Sequence, residues 1–243
     1  MFKHFINTGI RCALPNKFIT SQKLLYEPNS ELYLTLCEFN PKNFNLNLFD
    51  ELSIQLPKQF LEYSNIRQRE FLAGRYAAKL ALSAIYENNW IDQVKIGRRR
   101  EPIFPDDLLG TLTHSKTIAI CAVTPSKTIG FIGVDIEPIM QGDDLLGIAE
   151  KVFSSRELDL LLSKGINKEV AATLIFSAKE SVFKAISKKI SQDFFFNQFE
   201  LYQVHVYGNS ITMKMDITNT HLNSHIIVSA KLYKKHVLTL VAQ

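Results

Sequence analysis

Two segments of this chain repeat each other. Phe71-Leu72-Ala73-Gly74-Arg75-Tyr76-Ala77-Ala78-Lys79 aligns without gaps on Phe176-Ser177-Ala178-Lys179-Glu180-Ser181-Val182-Phe183-Lys184, with Phe, Ala and Lys coinciding at three of nine positions. Both copies lie in stretches of helical period. From Arg67 to Tyr86, Ala73, Ala77, Leu80 and Ala84 recur at helix spacing among strong helix formers. From about Val170 to Lys188, Ile175, Ala178, Val182 and Ile186 form the apolar stripe. Strand-like segments follow each helix, and Thr124-Pro125-Ser126-Lys127 reads as a linker near mid-chain. The pattern predicts an α+β chain of two similar halves, residues 1–124 and 125–243, related by a pseudo-twofold axis. A site in the cleft between them could draw cations from one copy and acids from the other, because Glu180 stands where Arg75 stands in the first.

The remaining elements are predicted as follows. Glu31 to Phe39 is a strand, and Pro41 to Pro57 an irregular connection rich in Asn and Leu. Gly97 to Pro102 is a basic loop prolonged by Pro105, and Thr111–His114 and Ile118–Val123 are paired strands about a Ser115-Lys116 turn. Leu145 to Leu162 is a region of helices. In the tail, Phe199–Tyr207 and Ile211–Ile217 flank Gly208-Asn209, a hairpin signal, and strands Ile226–Tyr233 and Val237–Ala242 follow.

Composition narrows the function. With 243 residues, 46% hydrophobic and 21% charged, the chain can bury a real core. A net charge of +4 favours an anionic partner but is too mild to demand nucleic acid. Cys12, Cys37 and Cys121 form no CxxC pair, which argues against a disulfide framework or a zinc site. Residues Met1 to Arg11 lack a sustained apolar core and no stretch reaches the length of a membrane span, so the expected setting is the reducing cytoplasm.

Three groups of residues carry chemistry. In Gly133-Val134-Asp135-Ile136-Glu137 the apolar residues alternate with two acids, so Asp135 and Glu137 share a strand face roughly 6.6 Å apart along the backbone. Such a pair is most often a solvated edge, but oxygen ligands of this kind suit Mg²⁺. Glu180 and Lys184, four apart on a helix, are neighbours: either a surface pair, or a third carboxylate with a lysine to take phosphate charge. Arg98-Arg99-Arg100 is either a solvated loop or a phosphate clamp stiffened by Pro102 and Pro105. His114, between Thr113 and Ser115, is either structural or part of an anion-binding edge. No GxGxxG, GxxxxGK[ST] or GxSxG motif occurs.

Taken in order, Glu70-Phe71-Leu72-Ala73-Gly74-Arg75, Arg100-Glu101-Pro102 with Pro105, Thr113-His114-Ser115, Gly133 to Glu137, and Phe176 to Ser181 through Lys184 resemble the 4'-phosphopantetheinyl transferases. The likeness covers roughly residues 60 to 190 and is strongest to the two-half branch typified by enterobactin synthetase component D. It implies transfer of the phosphopantetheine arm of coenzyme A to a serine of an apo acyl, peptidyl or aryl carrier protein, releasing adenosine 3',5'-bisphosphate. It also implies that Asp135, Glu137 and Glu180 hold Mg²⁺ (or Mn²⁺) against the coenzyme A diphosphate. Arg67, Arg75, Arg100, His114 and Lys184 would neutralise its phosphates, Glu101, Pro102 and Thr113 would line the nucleotide, and Asp135 and Lys179 would also contact the coenzyme. Glu180, directly or through a bound water, would be the base for the serine hydroxyl, with Lys184 beside it.

Some positions depart from the family pattern: Phe104 stands where a tryptophan is frequent, and Thr113 replaces a frequent serine. Glu157, in Phe153-Ser154-Ser155-Arg156-Glu157, resembles a further family motif and is read as structural or secondary. The implied protein is a cytoplasmic monomer of siderophore or other secondary metabolism that binds no nucleic acid. The competing readings are a Mg²⁺-dependent phosphodiesterase or nuclease and a non-enzymatic anion- or nucleic-acid-binding module.

Overall fold

The computed structural model describes residues 1–8, 14–87, 92–142, 145, 147, 152–187, 196–217 and 225–243. The chain divides into two compact units, one of His4–Ile129 and one of Met1–Lys3 with Gly130–Gln243. Both mix helix and antiparallel sheet, as an α+β chain should.

In the first unit, strands β1 (Ile6–Asn7), β2 (Ile19–Glu27) and β3 (Leu32–Phe39) precede a short helix α1 (Leu48–Glu51) and the long helix α2 (Asn65–Ile85). A two-stranded ribbon, β4 (Lys95–Ile96) with β5 (Pro102–Ile103), and strands β6 (Leu108–His114) and β7 (Ile118–Pro125) follow. The main sheet has the order β1-β2-β3-β7-β6. Ser64 caps α2 by accepting from the Arg67 amide, which starts the helix where apolar periodicity begins. Leu72, Ala73, Ala77 and Ala81 share one buried core with Cys37, Ala119 and Cys121, and the Thr35 hydroxyl, buried in the sheet, donates to Ala77 O at 2.7 Å. Phe104 is buried against Gly110, where a Cβ would strike its ring.

The second unit opens with β8 (Ile132–Pro138), continues through helices α3 (Ser155–Leu162) and α4 (Lys168–Ile186), and ends in β9 (Phe199–Tyr207), β10 (Ser210–Ile217), β11 (His225–Tyr233) and β12 (His236–Ala242). Its sheet has the order β8-β12-β11-β10-β9. The two units share a plan: the strand before the long helix pairs antiparallel with the unit's last strand, β3 with β7 and β8 with β12. Gly208 opens the β9–β10 turn at φ 56°, a backbone state that glycine adopts without steric cost.

Helix α4 lies on β8 and β12. Its approach is close because Gly133 has no side chain: a Cβ there would overlap Ser181 O and come within 2.8 Å of Ala185 N. Helix α3 is fastened beneath by a capping box, in which Ser154 Oγ accepts from the Glu157 amide and Glu157 accepts from the Ser154 amide. Glu157 also accepts from Leu201 N at 3.0 Å and pairs with Lys179 at 2.8 Å, with both side chains almost wholly buried. Lys179 completes its shell on Val152 O at 2.7 Å. This pair locks α3, α4 and β9 together, and each charge is tolerable inside only because the other is there.

The predicted helices and tail strands agree with these elements to within a few residues. The basic loop is the turn of the β4–β5 ribbon, whose two-residue strands are too short to show periodicity. Strand β2, paired along β3, went unpredicted because its exposed and buried residues do not alternate. Cys12, Lys188 and part of the 145–162 region lie outside the described residues. Cys37 and Cys121 are buried free thiols, and burial pushes Cys37 up to about 12. Among the described residues no helix is long and apolar enough to cross a membrane.

Gly133 of β8 and Gly74 of α2 should respond oppositely to alanine. Gly133→Ala, forced against helix backbone, is expected to cost at least about 2 kcal/mol in urea unfolding. Gly74→Ala, where a Cβ meets nothing, should stabilise α2 by about 0.5–1 kcal/mol. A Gly133→Ala chain as stable as the wild type would show that α4 does not rest on β8 there.

Candidate active site

Two clusters hold the predicted site residues, one in each unit. In the second unit, β8 turns Gly133 and Asp135 toward α4, while Ile132, Val134 and Ile136 are buried on the opposite face. Asp135, 1% exposed, accepts from Ser177 Oγ at 2.8 Å on one oxygen and from Lys184 Nζ at 2.5 Å on the other. Ser177 is itself held by Thr239 of β12, hydroxyl to hydroxyl at 2.9 Å, and the Thr239 hydroxyl lies 2.8 Å from Ser177 O. Ser177 and Lys184 are seven apart on α4, two turns along one face, so a single helix edge clasps both oxygens of the carboxylate.

Glu137, two residues on and on the same strand face, and Glu180, 3.9 Å from the Lys184 ammonium, complete the group. Burial first, and then the negative charge of Asp135, push the Glu137 carboxyl up to about 8; Lys184 opposes this and Glu180 adds to it. Glu180 is raised for the same reasons, burial foremost, with Lys184 pulling it down. The cluster therefore has more carboxyl groups than its one lysine could balance if all were ionised, and it keeps protons instead. Among the described residues these acids do not close into a ready-made cation cage; Lys184 rests on Asp135. Oxygen-only donors in charge deficit nevertheless fit a hard divalent cation better than any soft metal.

In the first unit, Arg67, Arg75, Arg100, Pro102, Thr113 and His114 line one cavity of about 380 Å³, together with Tyr63, Glu70 and Arg98. Arg75 is only 8% exposed, stacks on the Phe71 ring with its guanidinium carbon 4.7 Å from the centroid, and donates to Lys95 O at 3.4 Å. Its Nε has no hydrogen-bond partner among the described residues. Burial, aided by Arg67, lowers its proton affinity to about 10, which still leaves it cationic at neutral pH. A buried guanidinium with an open donor is equipped to receive an anion. Arg100 sits at φ 66° in the β4–β5 turn, over the Tyr63 ring at 5.8 Å.

Two predicted residues are placed differently from the rest. The Glu101 carboxylate folds back into the turn, against Gly97, and accepts from the Arg99 amide at 2.8 Å; it does not line the cavity. Lys179 is buried on Glu157 and Val152 O, one residue before Glu180. Sequence reasoning missed Ser177, Thr239, Tyr63 and Glu70. Ser177 and Glu70 stand inside the quoted motifs and could have been found by helix spacing; Thr239 shows itself only through the β8–β12 register, which pairs it with Asp135.

Comparison with known proteins identifies the family. Residues 131–241 match the 4'-phosphopantetheinyl transferase superfamily model, and residues 59–124 match the 4'-phosphopantetheinyl transferase N-terminal domain. Enterobactin synthase component D of Salmonella austin is 33% identical over 162 residues, 66% of this chain and 60% of that protein. The protein of that name from Escherichia coli O157:H7 is 34% identical over 152 residues, 63% of this chain and 69% of its own length. 4'-Phosphopantetheinyl transferase Npt of Nocardia iowensis is 31% identical over 121 residues, 49% of this chain and 51% of that protein. The chain thus spans about 60% of the length of the Salmonella relative. With models matching in both units, the chain belongs to the 4'-phosphopantetheinyl transferase superfamily.

Proposed function

We propose that the chain, as a cytoplasmic monomer, transfers the 4'-phosphopantetheine arm of coenzyme A to a serine of an apo carrier protein, releasing adenosine 3',5'-bisphosphate. The observation that carries the reading is the crowded carboxyl cluster of Asp135, Glu137 and Glu180, only partly compensated by Lys184. Those three carboxylates would hold Mg²⁺ or Mn²⁺, which supplies charge neutralisation at the coenzyme A diphosphate.

The chain's own residues do the rest. Asp135, pinned by Ser177 and Lys184, keeps its place without reorganising. Lys184 would donate to a diphosphate oxygen when the coenzyme binds. Arg67, Arg75, Arg100 and His114 take the nucleotide's phosphate, with Thr113 and Pro102 framing it. Glu101 shapes the turn that presents Arg100, and Lys179, held by Glu157, anchors the helix turn that carries Glu180. A Glu180 carboxylate oxygen, directly or through a water, accepts the serine proton as serine Oγ bonds to the phosphorus bearing the pantetheine arm. The bond from that phosphorus to the bridging oxygen breaks, and the electron pair leaves with adenosine 3',5'-bisphosphate.

Incubation with Mg²⁺, coenzyme A and an apo carrier should add the mass of one phosphopantetheine arm to the carrier, and Asp135→Ala should lose about a hundredfold or more in rate. The relatives named enterobactin synthase component D make siderophore carriers the first to try. No gain with any of several carriers, or full activity in Asp135→Ala, would overturn the reading.

The acid cluster also sets a pH dependence. Glu137 ordinarily titrates near 4.5 but keeps its proton to about 8 in the fold. Between those values the folded chain binds a proton that the unfolded chain has released, so stability falls as pH rises through the window and levels off above it. Metal-free wild type should therefore lose more Tm than Glu137→Gln between about pH 5 and 8, and Mg²⁺ should restore part of the loss at the upper end. Equal losses in the two chains would contradict this account of the cluster.

A further inference from the structure

Helix α4 carries three hydroxyl side chains, Thr173, Ser177 and Ser181. A hydroxyl inside a helix commonly returns its proton to a carbonyl of the preceding turn. Thr173 does so on Glu169 O at 2.7 Å, and Ser181 on Ala178 O at 2.8 Å. Ser177 instead sends its proton out of the helix, to Asp135 Oδ2 on β8 at 2.8 Å. Its neighbour on β12 accounts for the difference. Thr239 is the register partner of Asp135, yet its hydroxyl turns to Ser177, 2.9 Å from Oγ and 2.8 Å from the main-chain oxygen.

A proton count fixes the direction of this relay. Each hydroxyl owns one proton and can accept two. Ser177 spends its proton on Asp135, so the contact between the two hydroxyls is made with the Thr239 proton, shared between Ser177 Oγ and Ser177 O. Donation therefore runs from Thr239 to Ser177 to Asp135. By gripping both oxygens of one residue, Thr239 holds the Ser177 side chain away from its own helix. Ser177 and Thr239 are wholly buried and Asp135 almost so, and bulk water does not reach the relay to replace a missing hydroxyl.

We propose that Thr239 is a positioning residue for the acid cluster. Through Ser177 it fixes the rotation of the Asp135 carboxylate, which leaves Oδ1 on the Lys184 ammonium that Glu180 also approaches. The proposal rests on the reading of these acids as a divalent-cation site. A carboxylate already fixed in rotation gives up less freedom when a cation binds, so the relay raises the affinity of the site.

The test is the Mn²⁺ affinity of the full chain without coenzyme A or carrier, read from the electron paramagnetic resonance signal of free Mn²⁺. Thr239→Val, which keeps the branched shape and removes the hydroxyl, should bind Mn²⁺ about tenfold more weakly, and Ser177→Ala should do the same. Thr239→Ser, which keeps the donor, should bind within about twofold of wild type. Val204→Ala, a core truncation in β9 of the same sheet, should lose stability and leave the affinity unchanged. Wild-type affinity in Thr239→Val would overturn the proposal and leave the cation reading standing. So would a Thr239→Ser chain as weak as Thr239→Val, or a Val204→Ala chain that loses as much, because the loss would then come from packing. A wild type that binds no Mn²⁺ would overturn the cation reading and the proposal with it.

Discussion

The second unit depends on the close seating of α4 on β8. Gly133 lets the helix backbone approach the strand, and everything at the acid cluster follows from that distance. Asp135 then falls under Ser177 and Lys184, Glu137 joins it at the strand end, and Glu180 comes to the same place from the helix. Each of these carboxylates is costly where it stands. Asp135 is compensated by two donors, whereas Glu137 and Glu180 are compensated only in part and hold their protons more tightly for it. The buried Lys179–Glu157 pair secures the other side of the helix and so fixes its rotation.

The first unit solves a mirror-image problem with the same plan. There the long helix brings arginines rather than acids to its working face, and Arg75 is buried with a donor unmet. At the position equivalent to Lys184, Lys79 donates to Leu52 O at 2.9 Å. One helix–sheet plan therefore carries an arginine-lined cavity in one unit and a carboxylate cluster in the other, with Arg75 and Glu180 at matching positions of the repeated segment.

Much of this was legible from residues. Alternation placed Asp135 and Glu137 on one strand face, and helical period located α2 and α4. Their repetition announced two units of one design. The motifs led to family membership because they are collinear along the chain. What stayed hidden depends on contacts remote in sequence. Lys179 stands as a coenzyme contact by resemblance alone, and its buried partner Glu157 is revealed only where α3 packs on α4. Glu101 reads as a ligand contact until the turn folds it back onto the Arg99 amide. Thr239 and strand β2 are defined by their sheet neighbours, and no local period marks them.

The central claim is that Asp135, Glu137 and Glu180 form one divalent-cation site serving a coenzyme A diphosphate. Crystals grown with Mn²⁺ and coenzyme A test it most directly. The account predicts an anomalous difference peak ligated by those carboxylates and by diphosphate oxygens, with Lys184 Nζ also on the diphosphate. Coenzyme A bound with no cation at these three acids, or with Mn²⁺ ligated elsewhere, would contradict it.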